Sequence, residues 1–95
     1  MLRQDQNKVT EVGQKTITNE IIQIIASVLA LEKSQITLDS SIQNTFNWDS
    51  LNHLRILTAI EAKYGCMLKI EEISTVESVR DWVEIIQRYQ RGSFK

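Results

Sequence analysis

Apolar residues return with helical spacing in three stretches of the chain. In ITNEIIQIIASVLALEK, residues 17–33, Ile21, Ile24, Ile25, Val28 and Leu31 follow the i, i+3, i+4, i+7 rule for one buried helical face. The many β-branched isoleucines make a strand conceivable, but the length of the run, with Ala26, Leu29 and Ala30, favours a helix. A second helix is expected over residues 50–64, SLNHLRILTAIEAKY, with Gly65 just past its end, where a left-handed residue suits glycine. A third is expected in STVESVRDWVEIIQRYQ. Ser74 and Glu77 there have capping-box spacing, Thr75 is the alternative cap, and Val79, Trp82, Val83 and Ile86 mark the buried face.

The segments between are less regular. CMLKIEEIS reads as a short turn of helix or irregular structure. Residues 32–48, EKSQITLDSSIQNTFNW, show no period and are rich in Ser, Thr, Asp and Asn. A loop that long inside a compact domain is either functional or packed by its own side chains, and Ile36, Leu38, Ile42 and Phe46 are expected to pin it over the helices. The chain therefore reads as all-α: a small four-helix bundle, three main helices plus one short helix, with a long loop between helices 1 and 2. Residues 1–16 are expected to be a flexible N-terminal tail, 17–90 the helical domain and 91–95 a flexible C-terminal tail.

The second helix carries two apolar faces. At about 100° per residue, with Ile56 set to zero, Leu57, Ile60 and Tyr64 fall at roughly 100°, 40° and 80° and form the core stripe. Leu51 and Leu54 fall at roughly 220° and 160°, on the far side, which Thr58 and Glu61 share. Either the long loop covers these leucines or a partner does.

Composition narrows the picture. The 95 residues suit one small domain, 42% of them are apolar, and the absence of proline with only three glycines argues against a turn-rich β fold. The net charge is −1, yet residues 17–90 hold ten Asp and Glu against six Lys and Arg. Such a mildly acidic body is a poor match for nucleic acid and for a helix-turn-helix reader, which would need a basic recognition helix. One cysteine and one histidine exclude an internal disulfide and a multi-cysteine metal site. No apolar run reaches the roughly 18 residues of a membrane span, and MLRQDQNKVTEVGQK has no signal-peptide core, so the expected location is cytoplasmic.

Candidate chemistry gathers where the second helix begins, at Trp48-Asp49-Ser50-Leu51. Backbone N–H groups and the positive end of the helix dipole favour a negative group there, so a phosphate ester on Ser50 would be well placed. Alternatively Asp49 or Ser50 simply caps the helix. His53 is three residues on and could neighbour Ser50, but a hydrolase also needs an orienting group and an oxyanion hole, and no glycine elbow surrounds this serine. His53 lies near the core stripe and reads as structural, Cys66 as a partly buried small apolar residue, and Trp82 as a core anchor. Trp48 is open between loop anchor and docking surface, and Glu71-Glu72 between a solvated helix start and a docking rim.

WDSLNHLRILTAIEAKYG resembles the acyl carrier proteins and related thiolation domains, whose hallmark is Asp-Ser-Leu at the start of the second helix. The resemblance covers about residues 17–90, including the long loop, the aromatic-Gly end at Tyr64-Gly65, and ISTVESVRDWV. It implies that Ser50 bears a covalent 4′-phosphopantetheine from coenzyme A, with Asp49 and Leu51 recognised by the transferase and Asp49 near its magnesium ion. Leu51, Leu54, Arg55, Thr58 and Glu61 match positions that dock on partner enzymes. The implied partners are a phosphopantetheinyl transferase, an acyl- or aminoacyl-loading ligase and downstream synthases or transferases, with no catalytic residue or metal in the chain itself and a monomeric state. Fatty-acid-synthase carriers are strongly acidic along this helix, whereas here the positions read Asn52, Arg55, Ala62 and Lys63, with Glu61 retained and Trp48 in place of a small residue. That departure suits a dedicated carrier of a specialised pathway, and the short tails lead to the expectation of a stand-alone one. The competing reading is an unmodified helical adaptor that uses the Leu51/Leu54 face.

Overall fold

The computed structural model describes residues 2–90, with side chains described from Thr16 onward. In chain order, α1 (Leu2–Leu29) leads through a single 3₁₀ turn (Lys33–Gln35) and a long loop to α2 (Ser50–Tyr64). The short α3 (Ile70–Ile73) and then α4 (Val79–Gln90) complete the fold. This is the all-α bundle of three main helices and one short one. Helical backbone begins well before residue 17, where the sequence pattern places it. The tail expected over 91–95 lies outside the described residues.

Helix α1 packs against both α2 and α4. Ile21, Ile25 and Leu29 of α1, Ile56 and Ile60 of α2, and Val79, Trp82 and Ile86 of α4 are completely buried in one core. At roughly 25 cal/mol per Å² of apolar surface, each such side chain contributes about 1.5–3 kcal/mol. Because α1 is gripped from two sides, its buried sector is wider than the single expected stripe. Ala26 and Leu29 are buried, while Ile24 and Val28 are only half-buried. Leu31, expected on that helical face, lies beyond the helix end.

Two helices end on left-handed residues of different kinds. After α1, Ala30 has φ 60°, with Leu31 N–H donating to Ala26 O at 2.9 Å and Ala30 N–H to Ser27 O at 3.3 Å. These are the two bonds of a Schellman end, built without the usual glycine. After α2, Gly65 (φ 61°) donates to Glu61 O, and Cys66 N–H reaches the same carbonyl at 3.1 Å.

The long loop is fastened to the start of α4. Val79 and Arg80 N–H donate to Ser40 O and Leu38 O, and Ile42 N–H donates to Glu77 O. Loop carbonyls thus satisfy amides that a helix start leaves unpaired. The cap of α4 is Ser78, not the expected Ser74 or Thr75. Asp81 N–H donates to Ser78 Oγ, and Asp81 Oδ2 accepts from the N–H groups of Ser78 and Glu77. Ser74 instead closes α3.

Ile36 is buried, and Leu38 and Ile42 pack against the core as expected, but Phe46 does not. It is 79% exposed, at the corner of a turn closed by Trp48 N–H to Thr45 O. Asn47 follows with φ 72°, and this reversal directs Trp48 inward to 3% exposure. Trp48 takes the anchoring role foreseen for Phe46.

Both left-handed helix ends can be tested by substitution. An L side chain in that region costs about 1–2 kcal/mol, partly offset by the greater freedom glycine gives the unfolded chain. Ala30→Gly is therefore expected to raise the unfolding free energy in urea by about 0.5–1 kcal/mol. Gly65→Ala is expected to lower it by about 1 kcal/mol, since an added Cβ there meets nothing within 4 Å and only the backbone is strained.

Candidate functional site

Asp49 is the N-cap of α2, with extended backbone (φ −115°, ψ −174°) and Oδ1 accepting the Asn52 N–H at 2.9 Å. Ser50, the first helical residue, is exposed, and among the described residues its hydroxyl has no hydrogen-bond partner. The capping alternatives thus resolve to the aspartate, which leaves a free hydroxyl at the positive end of a 15-residue helix.

The segment leading to Ser50 is held from three sides. Asn47 Nδ2 donates to Leu29 O at 2.9 Å, tying the turn to the end of α1. Asn52, itself buried, returns a bond from Nδ2 to Asn47 O at 2.8 Å. Trp48 Nε1 donates to His53 Nδ1 at 2.9 Å, with the rings stacked at 6.0 Å between centroids. On its other side His53 meets Trp82 of α4, centroid to centroid 5.5 Å.

An indole N–H can donate only to an unprotonated Nδ1, so this bond requires the neutral imidazole with its proton on Nε2. Burial holds the His53 pKa below its ordinary value of 6.5, against an opposing hydrogen bond with the backbone of Val76. His53 is therefore committed to Trp48 on one nitrogen and makes no hydrogen bond to Ser50. The Ser50–His53 pair lacks the contact a nucleophile and its base require.

The far face of α2 stands open. Leu51 and Leu54 are 58% and 57% exposed, so the loop does not cover them, and Arg55 and Thr58 are exposed beside them. Glu61 is drawn inward instead: Oε2 accepts the Leu68 N–H at 3.0 Å and braces the exit from α2. Lys63 pairs with Glu20 of α1 at 3.7 Å. Trp48 is an anchor and takes no part in this face. Cys66 is half-buried, and burial, aided by the Glu61 charge, pushes its thiol pKa up, away from a reactive thiolate.

Sequence reasoning passed over Met67 and Ile70, which are 81% and 77% exposed around the start of α3. In CMLKIEEIS the apolar letters alone do not say which point inward; Leu68 does, and Met67 and Ile70 do not. An open depression of about 270 Å³ in the loop, lined by Leu31, Asp39, Asn44 and Phe46 among others, contains none of the residues around Ser50. Among the described residues, no group of three or more His, Cys, Asp or Glu could hold a metal, and no helix is long and apolar enough to cross a membrane.

Residues 19–86 match a family model described as a phosphopantetheine attachment site. An acyl carrier protein of Rhodococcus erythropolis is 32% identical over 77 residues, which span 81% of this chain and 85% of the relative. One from Treponema denticola is 33% identical over 72 residues, 76% of this chain and 92% of the relative. One from Rickettsia canadensis is 31% identical over 74 residues, 78% of this chain and 86% of the relative.

The Trp48–His53 bond predicts a pH signature. The native state favours neutral His53, so below pH 6.5 the unfolded chain binds more protons, and stability falls as pH is lowered. The stabilisation is complete above 6.5 and is lost as pH drops toward the depressed native value. The urea midpoint should be lower at about pH 5.5 than at about pH 7.5, a span that most carboxylates do not enter. His53→Gln should flatten this dependence. Trp48→Phe, which leaves the imidazole without its donor, should cost about 1–3 kcal/mol.

Proposed function

We propose a carrier function from a premise that these similarities establish: the chain belongs to the acyl carrier protein family, and 4′-phosphopantetheine is its prosthetic group. The attachment point is Ser50 Oγ. The observation that carries this assignment is the division of labour at the start of α2, where Asp49 caps and the exposed Ser50 hydroxyl is left unengaged. Once attached, the group supplies a terminal thiol on which acyl units are held as thioesters.

The chain's own residues fit that task. The N-terminal end of α2 tolerates the negative charge of a phosphodiester. Asp49 uses one carboxylate oxygen for the cap, and the other is available to a transferase and its magnesium ion. The bonds through Asn47, Asn52 and His53 hold Ser50 at a fixed place against α1 and α4, so the flexible arm swings from a rigid base. Tethering keeps the cargo at high effective concentration while it visits successive enzymes.

Leu51 and Leu54, with Arg55 and Thr58 at their edge, form the docking face. Leu51 also contributes to transferase recognition. Glu61 serves that face only from the side, because its carboxylate is engaged with Leu68. The partners are a phosphopantetheinyl transferase, an acyl- or aminoacyl-loading ligase and a downstream synthase or transferase, and catalysis belongs to them. The non-acidic α2 favours a specialised biosynthetic pathway in the cytoplasm over general fatty-acid synthesis.

Intact mass tests the assignment. With coenzyme A, magnesium and a broad-specificity phosphopantetheinyl transferase, wild type should gain one phosphopantetheine and Ser50→Ala none. No gain by folded wild type, with a cognate transferase also failing, would favour the unmodified adaptor; a gain by both would move the site to another serine. On the docking face, Leu54→Ala should lower kcat/KM of the transferase by about tenfold, the size expected for a central apolar contact, with the urea midpoint unchanged.

A further inference from the structure

We infer that the enzymes engaging this protein meet α2 with an acidic side chain placed for Arg55, beside an apolar recess for Leu51 and Leu54; this rests on the carrier reading. The charges of α2 are few, and the fold uses all but one of them. Glu61 is bonded to the Leu68 amide, and Lys63 is paired with Glu20. Arg55 is exposed and makes no hydrogen bond or ion pair among the described residues. The positions three and four residues away, where a helical partner would sit, are Leu51, Asn52, Thr58 and Ala59.

Could Arg55 instead neutralise the phosphodiester on Ser50? The two residues lie about 140° apart around the helix and about 7.5 Å apart along it, so the guanidinium belongs to the leucine face. That face, Leu51, Leu54, Arg55, Thr58 and Ala62, is exposed; Glu61 at its edge is turned to the Leu68 amide, and Arg55 is the one charge of the face that nothing engages among the described residues. A rim cation of this kind governs encounter and partner choice: an acidic surface is attracted, and a basic one is repelled.

The test uses the full-length protein with coenzyme A and magnesium. It compares two purified phosphopantetheinyl transferases, one with an acidic carrier-binding surface and one with a basic surface, acting on wild type, Arg55→Gln and Arg55→Glu. With the acidic-surfaced enzyme, Arg55→Glu should raise KM about three- to tenfold with kcat unchanged, the scale of reversing one exposed charge. With the basic-surfaced enzyme it should lower KM by a similar factor. Arg55→Gln should fall between. For wild type on the acidic-surfaced enzyme, the rate should decline as salt rises from about 20 to about 200 mM. Equal KM values for wild type and Arg55→Glu on both enzymes would overturn the inference. So would a wild-type preference for the basic surface that salt weakens. If neither enzyme modifies folded wild type, the carrier reading falls and this inference falls with it.

Discussion

The start of α2 depends on one hydrogen bond between two aromatic rings, Trp48 Nε1–H to His53 Nδ1. Around it, His53 stacks on Trp48, leans on Trp82 and faces the backbone at Val76. A loop residue, a helix α2 residue, a helix α4 residue and the connection before α4 therefore meet at one imidazole. The ring can serve them all only while it is neutral. Its burial keeps it so, and the neutral state in turn keeps a polar side chain tolerable beside the core.

This brace lets the residues beside it divide their tasks. With Trp48 fixed inward, Asp49 is set in the extended conformation of a cap, and Ser50 follows with nothing required of its hydroxyl. The same fastening leaves Leu51 and Leu54 on the open side of α2, since the loop is drawn toward α4 by its bonds to Val79 and Arg80 and cannot fold back over them. A fixed serine next to an open apolar face is the arrangement expected of a protein that presents cargo and docks briefly. The core contributes rigidity, and one face of α2 is left open.

Much of this was legible in the sequence where a helix repeats its own period. The outward placement of Leu51 and Leu54 follows from counting 100° steps, and the stop at Gly65 from the backbone preference of glycine. The misses have two sources, left-handed residues that no local signal marks and contacts between distant segments. Alanine is the best helix former, so nothing local marks Ala30 as the left-handed end of α1. Two consecutive cap signatures, Ser74-x-x-Glu77 and Ser78-x-x-Asp81, cannot be ranked by spacing; loop carbonyls at Leu38 and Ser40 decide for the second. Phe46 and Trp48 are both aromatic, and only the left-handed turn at Asn47 determines which one enters the core. At the candidate site, the Asp49-Ser50-Leu51 run at a helix start is legible, but the capture of Glu61 by the Leu68 amide is not, because it joins α2 to a segment that has no period of its own.

The most direct measurement is the tautomer and charge of His53, read from long-range proton–nitrogen NMR correlations of the imidazole at neutral pH. A neutral ring protonated on Nε2, with an unprotonated Nδ1 whose signal responds to Trp48→Phe, is the predicted result. An imidazolium, or a ring protonated on Nδ1, would contradict the account, because neither can accept the indole proton on which the placement of Ser50 depends.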